Sequence, residues 1–133
     1  MANPGQDIRL EQTQLVTEPV CIGFMGPGVQ PVLSTPSLIL WLEMASRQAA
    51  APLLQQDEET VGTAMDLKHL APTPLGMKVT LKTRIVEVAG RKIRFRLEAF
   101  DEVEKIAEGW HERARVSVPR FASYLESKRP QSP

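Results

Sequence analysis

The stretch that opens at Thr35-Pro36 constrains the fold more than any other part of the chain. Leu38-Ile39-Leu40-Trp41-Leu42 is apolar all round, and Met44, Ala45, Ala49 and Ala50 continue it. Thr35 suits an N-cap and Pro36 the first helical position. Pro52 marks the expected end. A helix with no polar stripe in its first three turns has to be buried on most sides. With 133 residues the chain holds one domain's worth of material, so the wrapping must come from its own remaining segments.

Those segments read as strands. Residues 8–17 form a strand of moderate quality, and 20–34 a loop, broken by Gly23, Gly26, Pro27, Gly28 and Pro31. Beyond the helix, residues 60–70 place Val61, Thr63, Met65, Leu67 and His69 on one face. Residues 77–88 do the same with Met77, Val79, Leu81, Thr83 and Ile85. A turn at 89–91 pairs Ile85 with Phe95, Thr83 with Leu97 and Leu81 with Ala99, which gathers the apolar side chains. It sets Lys82 against Glu98 and Arg84 against Arg96 on the other face. A last strand, 105–118, pairs Ala99 with Ala107, Arg96 with Trp110 and Arg94 with Glu112, and turns His111 and Arg113 toward the helix. A short amphipathic helix after Pro119 is expected to dock Phe121, Tyr124 and Leu125 on the sheet. A helix wrapped by a curved antiparallel sheet is an α+β layer solution. The expected domain spans 8–126, with flexible ends at 1–7 and 127–133.

Composition removes several function classes. Sixteen Lys and Arg balance sixteen Asp and Glu, so no whole-molecule field favours nucleic acid or an anionic membrane. One cysteine excludes an internal disulfide, and with only two histidines a metal site is not expected. No apolar run is long enough to span a bilayer and the first residues do not resemble a signal peptide, so the expected location is cytoplasmic. Between 76 and 96, seven basic residues face one acid, Glu87. This reads as a solvated, salt-bridged sheet face or as a phosphate contact. With aromatics at 5%, no stacking platform for nucleic acid is visible.

Few residues remain to carry chemistry. Glu43 sits inside the apolar helical run, where a carboxylate either pairs or has its pKa raised by desolvation. It suits a general base, or an i,i+4 ion pair with Arg47. Thr35 lies eight positions earlier, roughly 12 Å along the axis, too far for a direct bond between them. His69, at a strand end, has the near-neutral pKa of an acid–base group. Gly62, beside Thr63 inside a strand pattern, signals a bulge or a close backbone approach, and its N–H could polarise a carbonyl. Arg113, facing inward, needs an anion or a carboxylate.

The sequence resembles the fluoroacetyl-CoA thioesterase-like family of hotdog proteins. The matching stretches are Val32-Leu33-Ser34-Thr35 leading to Leu42-Glu43, Gly62-Thr63-Ala64, and the run from His69 through Pro72 and Pro74 to Met77. They continue with Val88-Ala89-Gly90-Arg91 and Gly109-Trp110-His111-Glu112-Arg113. The resemblance implies a hotdog fold and a homodimer with acyl-CoA sites at its interface. Its catalytic threonine, glutamate and histidine fall on Thr35, Glu43 and His69, with His69 expected to arrive from the partner subunit. Its strand glycine falls on Gly62 and its pocket arginine on Arg113. Thr63 and His111 join them as expected substrate contacts. No metal or cofactor is implied beyond the CoA of the substrate. The loop 20–30 departs from the family pattern, with Phe24 and Met25 as its large apolar residues, so a general short or medium acyl-CoA is the expected substrate. A non-catalytic module binding an acyl ligand is the alternative, and a hotdog dehydratase a lesser one.

Overall fold

The computed structural model describes residues 8–130. Strand β1 (Arg9–Leu15) is followed by a 3-10 turn and two short strands, β2 (Cys21–Ile22) and β3 (Val32–Leu33). Helix α1 (Thr35–Ala50) comes next, then β4 (Glu58–His69), β5 (Lys78–Ala89), β6 (Lys92–Phe100), β7 (Lys105–Ser117) and helix α2 (Val118–Ser127). The five long strands make one antiparallel sheet in the order β1-β5-β6-β7-β4. This is the expected α+β arrangement, with α1 against the concave face. Of the expected ends, 1–7 lies outside the described residues, and so does 131–133 of the expected 127–133, whose first residue, Ser127, closes α2.

The core forms where α1 meets the sheet. Leu38 and Leu42 from the helix are fully buried against Leu81, Ile85, Phe95 and Leu97. Each such side chain is worth about 1.5–3 kcal/mol of transfer energy. A polar pair sits inside this apolar layer. The Ser46 hydroxyl contacts Leu42 O at 2.8 Å and Thr83 Oγ1 at 2.9 Å, and both residues are buried. The helix is not enclosed all round, however. Leu40 is 54% and Met44 47% exposed, one turn apart on a single face.

Other expectations shift for physical reasons. Ser34, not Thr35, caps α1: its side chain accepts from Ser37 N–H at 3.2 Å. The supposed loop before the helix contains β3, whose Leu33 reaches the core at 1% exposure. Beyond α1, Ile85 does pair with Phe95, Thr83 with Leu97 and Leu81 with Ala99. The route is different: Ala89 pairs with Lys92 across a two-residue turn, and a bulge between Ile85 and Glu87 restores the register. Gly90 takes φ of 61° there, which an L side chain tolerates poorly. The pairs Ala99–Ala107, Arg96–Trp110 and Arg94–Glu112 form as expected. Helix α2 docks less than expected: none of its residues is buried, Phe121 is half-buried, and Tyr124 and Leu125 are exposed. No helix among the described residues is long and apolar enough to cross a membrane.

Candidate active site

The site begins with a bulge in β4. Gly62 pairs with Arg113 but Ala64 pairs with Glu112, so Thr63 is the extra residue. The insertion reverses the alternation along the strand. Thr60 and Gly62 face inward before it, and Met65, Leu67 and His69 after it. Simple alternation therefore misplaces Val61 and Thr63. Thr63 is exposed, and its hydroxyl donates to Glu112 O at 3.2 Å.

Opposite the bulge, β7 turns Arg113 and His111 inward, 4% and 1% exposed. Arg113 is anchored by two bonds to Thr60, from Nε to Oγ1 at 2.8 Å and from Nη2 to the carbonyl at 2.9 Å. Its Nη1 lies 3.2 Å from His111 Nε2 and 3.4 Å from Glu43 Oε2. His111 Nδ1 is 2.8 Å from Ala64 O. A carbonyl only accepts, so Nδ1 carries the proton and Nε2 accepts from Arg113. Burial pushes the His111 pKa below its ordinary value against the pull of the Ala64 carbonyl, and the Arg113 charge lowers it further against Glu43 and Glu112. Burial also lowers Arg113, against the pull of Glu43.

Glu43 thus pairs with Arg113 and not with Arg47, which bonds Glu59 at 2.7 Å instead. The Glu43 carboxylate lies over Gly62, in the space a Cβ there would need. That added Cβ would also stand 3.4 Å from His111 Cε1 and 3.5 Å from Arg113 Nη1. Glycine at this position is what lets the helix carboxylate reach the strand.

Thr35 and His69 make a second cluster. Thr35 Oγ1 and His69 Nδ1 are 2.7 Å apart within one chain. His69 therefore meets Thr35 within one copy of the chain. Both residues line an open cleft of ≈ 250 Å³ with Ile22, Val32, Leu70 and Pro72. Burial lowers the His69 pKa, and its Nε2 has no hydrogen-bond partner among the described residues. Among the described residues no three His, Cys, Asp or Glu side chains gather as a metal ion would require.

The structure thus joins Glu43, Gly62, His111 and Arg113 in one group and Thr35 with His69 in another, while Thr63 belongs to neither. Periodicity did not single out Thr60, the anchor of Arg113. The signal that could have found it was Gly62: a bulge there moves the inward face onto Thr60.

A helix held in a curved antiparallel sheet, with polar clusters at its start and middle, defines the hotdog class of thioesterase-like proteins. Solved structures agree. The fluoroacetyl-CoA thioesterase FlK matches with a TM-score of 0.82 at 29% identity, covering 92% of this chain and 95% of that one. A thioesterase superfamily member from Thermus thermophilus gives 0.84 at 25% identity, over 96% and 94% of the two chains. Residues 16–119 match the family model described as FlK, fluoroacetyl-CoA-specific thioesterase. The chain is 35% identical over 99 residues to the fluoroacetyl-CoA thioesterase of Streptantibioticus cattleyicolor, spanning 74% of this chain and 71% of that protein. The chain belongs to the fluoroacetyl-CoA-specific thioesterase family.

Proposed function

We propose that this protein hydrolyses short to medium acyl-CoA thioesters to the free acid and CoA. The observation that carries the reading is the Glu43 carboxylate, fixed by the buried Arg113 over the gap at Gly62. A carboxylate so held acts as base toward water or as nucleophile toward the thioester carbonyl. Attack forms a tetrahedral oxyanion, for which the Gly62 N–H is the proposed donor. Collapse expels the CoA thiolate, which takes a proton to leave as thiol. In the direct-attack route, water then cleaves the acyl–Glu43 anhydride. Thr35 and His69 orient and polarise the thioester, with Arg113 and His111 as further contacts near the pocket. A low imidazole pKa keeps His69 neutral and able to accept a proton at neutral pH. No cofactor enters the scheme, since CoA is part of the substrate.

The two clusters are separated along α1, and a second copy of the chain is the proposed bridge. Among the described residues β4 pairs only with β7, which leaves one side of a 12-residue strand unpaired there. Free edges of that length favour pairing with another chain. Leu40 and Met44, exposed on α1, supply an apolar patch for the same contact. A homodimer would let one copy's Glu43 work beside the partner's Thr35 and His69. A cytoplasmic location fits the single cysteine. Phe24 and Met25, 81% and 76% exposed, leave loop 20–30 without a packed aromatic cover, which favours general acyl groups over a fluorinated one.

The test is thiol release across a panel of acyl-CoA esters for wild type and Glu43→Gln. A fall of about 100-fold or more is expected for the variant. Equal rates would sink the assignment, and CoA-ester binding without turnover would leave a binding module.

A further inference from the structure

We propose that the outer face of the sheet carries an anion site for a phosphoryl group, built by Arg9, Arg84 and Arg96. The strand pairings set Arg9 directly opposite Arg84, and Arg84 directly opposite Arg96, so three guanidinium groups form one row across β1, β5 and β6. Like charges directly opposed in a sheet repel each other. The rest of this face largely avoids that arrangement: Glu11 faces Lys82, Lys82 faces Glu98, and Arg94 faces Glu112.

One other like-charged pair shows how the fold treats such a conflict. Glu98 stands opposite Glu108, and Lys105 Nζ bridges them at 2.9 and 2.6 Å. The arginine row has no equivalent. Arg96 reaches Glu108 at 3.7 Å, but neither Arg9 nor Arg84 has an ion-pair partner among the described residues. An external anion would do for the arginines what Lys105 does for the two glutamates.

The shape fits a ligand. Arg9, Arg84 and Arg96 line a groove of ≈ 670 Å³ together with Lys82, Glu11 and Glu98. That volume suits a small molecule. Four cations against two acids leave an excess of two, and Glu98 is already committed to Lys105. Arg96 is a firm anchor: its guanidinium stacks 5.0 Å from the centre of the Trp110 ring, whose other close cation is Arg94 at 4.5 Å. Planar guanidinium groups bind phosphate oxygens two at a time, so a tetrahedral dianion is the chemistry this row selects. The groove lies on the face of the sheet opposite Glu43, at the β1 edge, away from β4 at the other edge.

The phosphoryl group has two sources: a free phosphate, or the 3′-phosphate of a CoA molecule. The experiment measures thermal stability and calorimetric binding of the full chain with inorganic phosphate, against chloride at equal ionic strength. Phosphate is expected to raise the wild-type Tm in a dose-dependent way beyond chloride. Arg84→Gln is expected to weaken phosphate binding about tenfold or more. The same substitution should raise the Tm in chloride, because it removes the repulsion. Arg9→Gln, at an exposed edge, is the second variant if Arg84→Gln fails to fold. Equal phosphate effects in wild type and variants, or effects no larger than those of chloride, overturn the proposal. If CoA competes with phosphate and dephospho-CoA does not, the source is the 3′-phosphate. If neither competes, the source is free phosphate, and both results support the site. Because the readout is binding, failure of the hydrolysis assignment would leave it untouched.

Discussion

Glu43 reaches across from the central helix to fill the space that a side chain at Gly62 would take. Gly62→Ala tests this contact. The displaced atom is the end of a flexible side chain, so the fold should absorb the change with a Tm shift of a few degrees. Turnover should fall about tenfold or more, because the carboxylate loses its position. Unchanged turnover in a well-folded variant would mean that the placement of Glu43 is unimportant.

Arg113 donates to Thr60 through two atoms, which a lysine cannot reproduce. Arg113→Lys should therefore cost about 2 kcal/mol. The Glu43 side chain is 37% exposed, so solvent screening limits what the ion pair itself adds. For a domain of this length the loss corresponds to a Tm drop of roughly 5–10 °C. Calorimetry decides the point, and a drop under about 2 °C would contradict the assigned role.

Burial lowers the pKa values of both His69 and His111 from the ordinary 6.5. The unfolded chain then binds more protons than the folded one as pH falls through that value. Stability from these groups is complete above about pH 6.5 and is lost below it, toward the folded-state pKa values. The urea midpoint should be lower at pH 5.5 than at pH 7.5, and His69→Gln should flatten part of the slope. The Glu59 pKa, lowered by its bond to Arg47, adds a loss of the same sign only below about pH 4.5. A midpoint that stays constant from pH 7.5 to 5.5 would contradict the depressed histidines.

Thr35 is the first residue of α1, and Ser34 already serves as the cap. Its hydroxyl is therefore free to hold His69. Thr35→Ser should keep most activity, whereas Thr35→Ala should lose about tenfold or more with little change in Tm. A large Tm drop in Thr35→Ala, recovered in Thr35→Ser together with activity, would point to a capping role instead.

Leu40 and Met44 present one apolar face of α1 to solvent in a single copy. Sedimentation of Leu40→Glu/Met44→Glu should show a shift from dimer to monomer, with a parallel loss of turnover. A variant that stays dimeric would move the contact elsewhere.

Much of this fold was legible because alternation and turn residues agree along β5, β6 and β7. The register of those strands followed from matching Leu81, Thr83 and Ile85 with Ala99, Leu97 and Phe95. Bulges were harder to read. The one after Ile85 cancelled an error in turn length, and the one at Thr63 reversed a face. Apolar periodicity reports which side is dry, but it cannot count an inserted residue. Within the site, Glu43 stood out because a charge in an apolar run needs an explanation. Its partner did not, because Arg47 in the next turn and Arg113 on a distant strand satisfy the same rule. Only the packing of α1 on the sheet decides between them. The apolar composition of α2 did not foretell its exposure, since an amphipathic face does not specify what covers it.

The buried contact between Ser46 and Thr83 has a consequence for this geometry. Leucine and alanine would pack acceptably at several rotations of the helix, so apolar matching alone gives α1 a smooth seat. Two hydroxyls in a dry layer make the seat notched, because any rotation that parts them leaves the Thr83 hydroxyl stranded in hydrocarbon while Ser46 keeps only its bond to Leu42 O. Ser46 lies three residues beyond Glu43, less than one helical turn away. The hydroxyl pair thus sets the compass bearing of the carboxylate, from a position that no substrate touches.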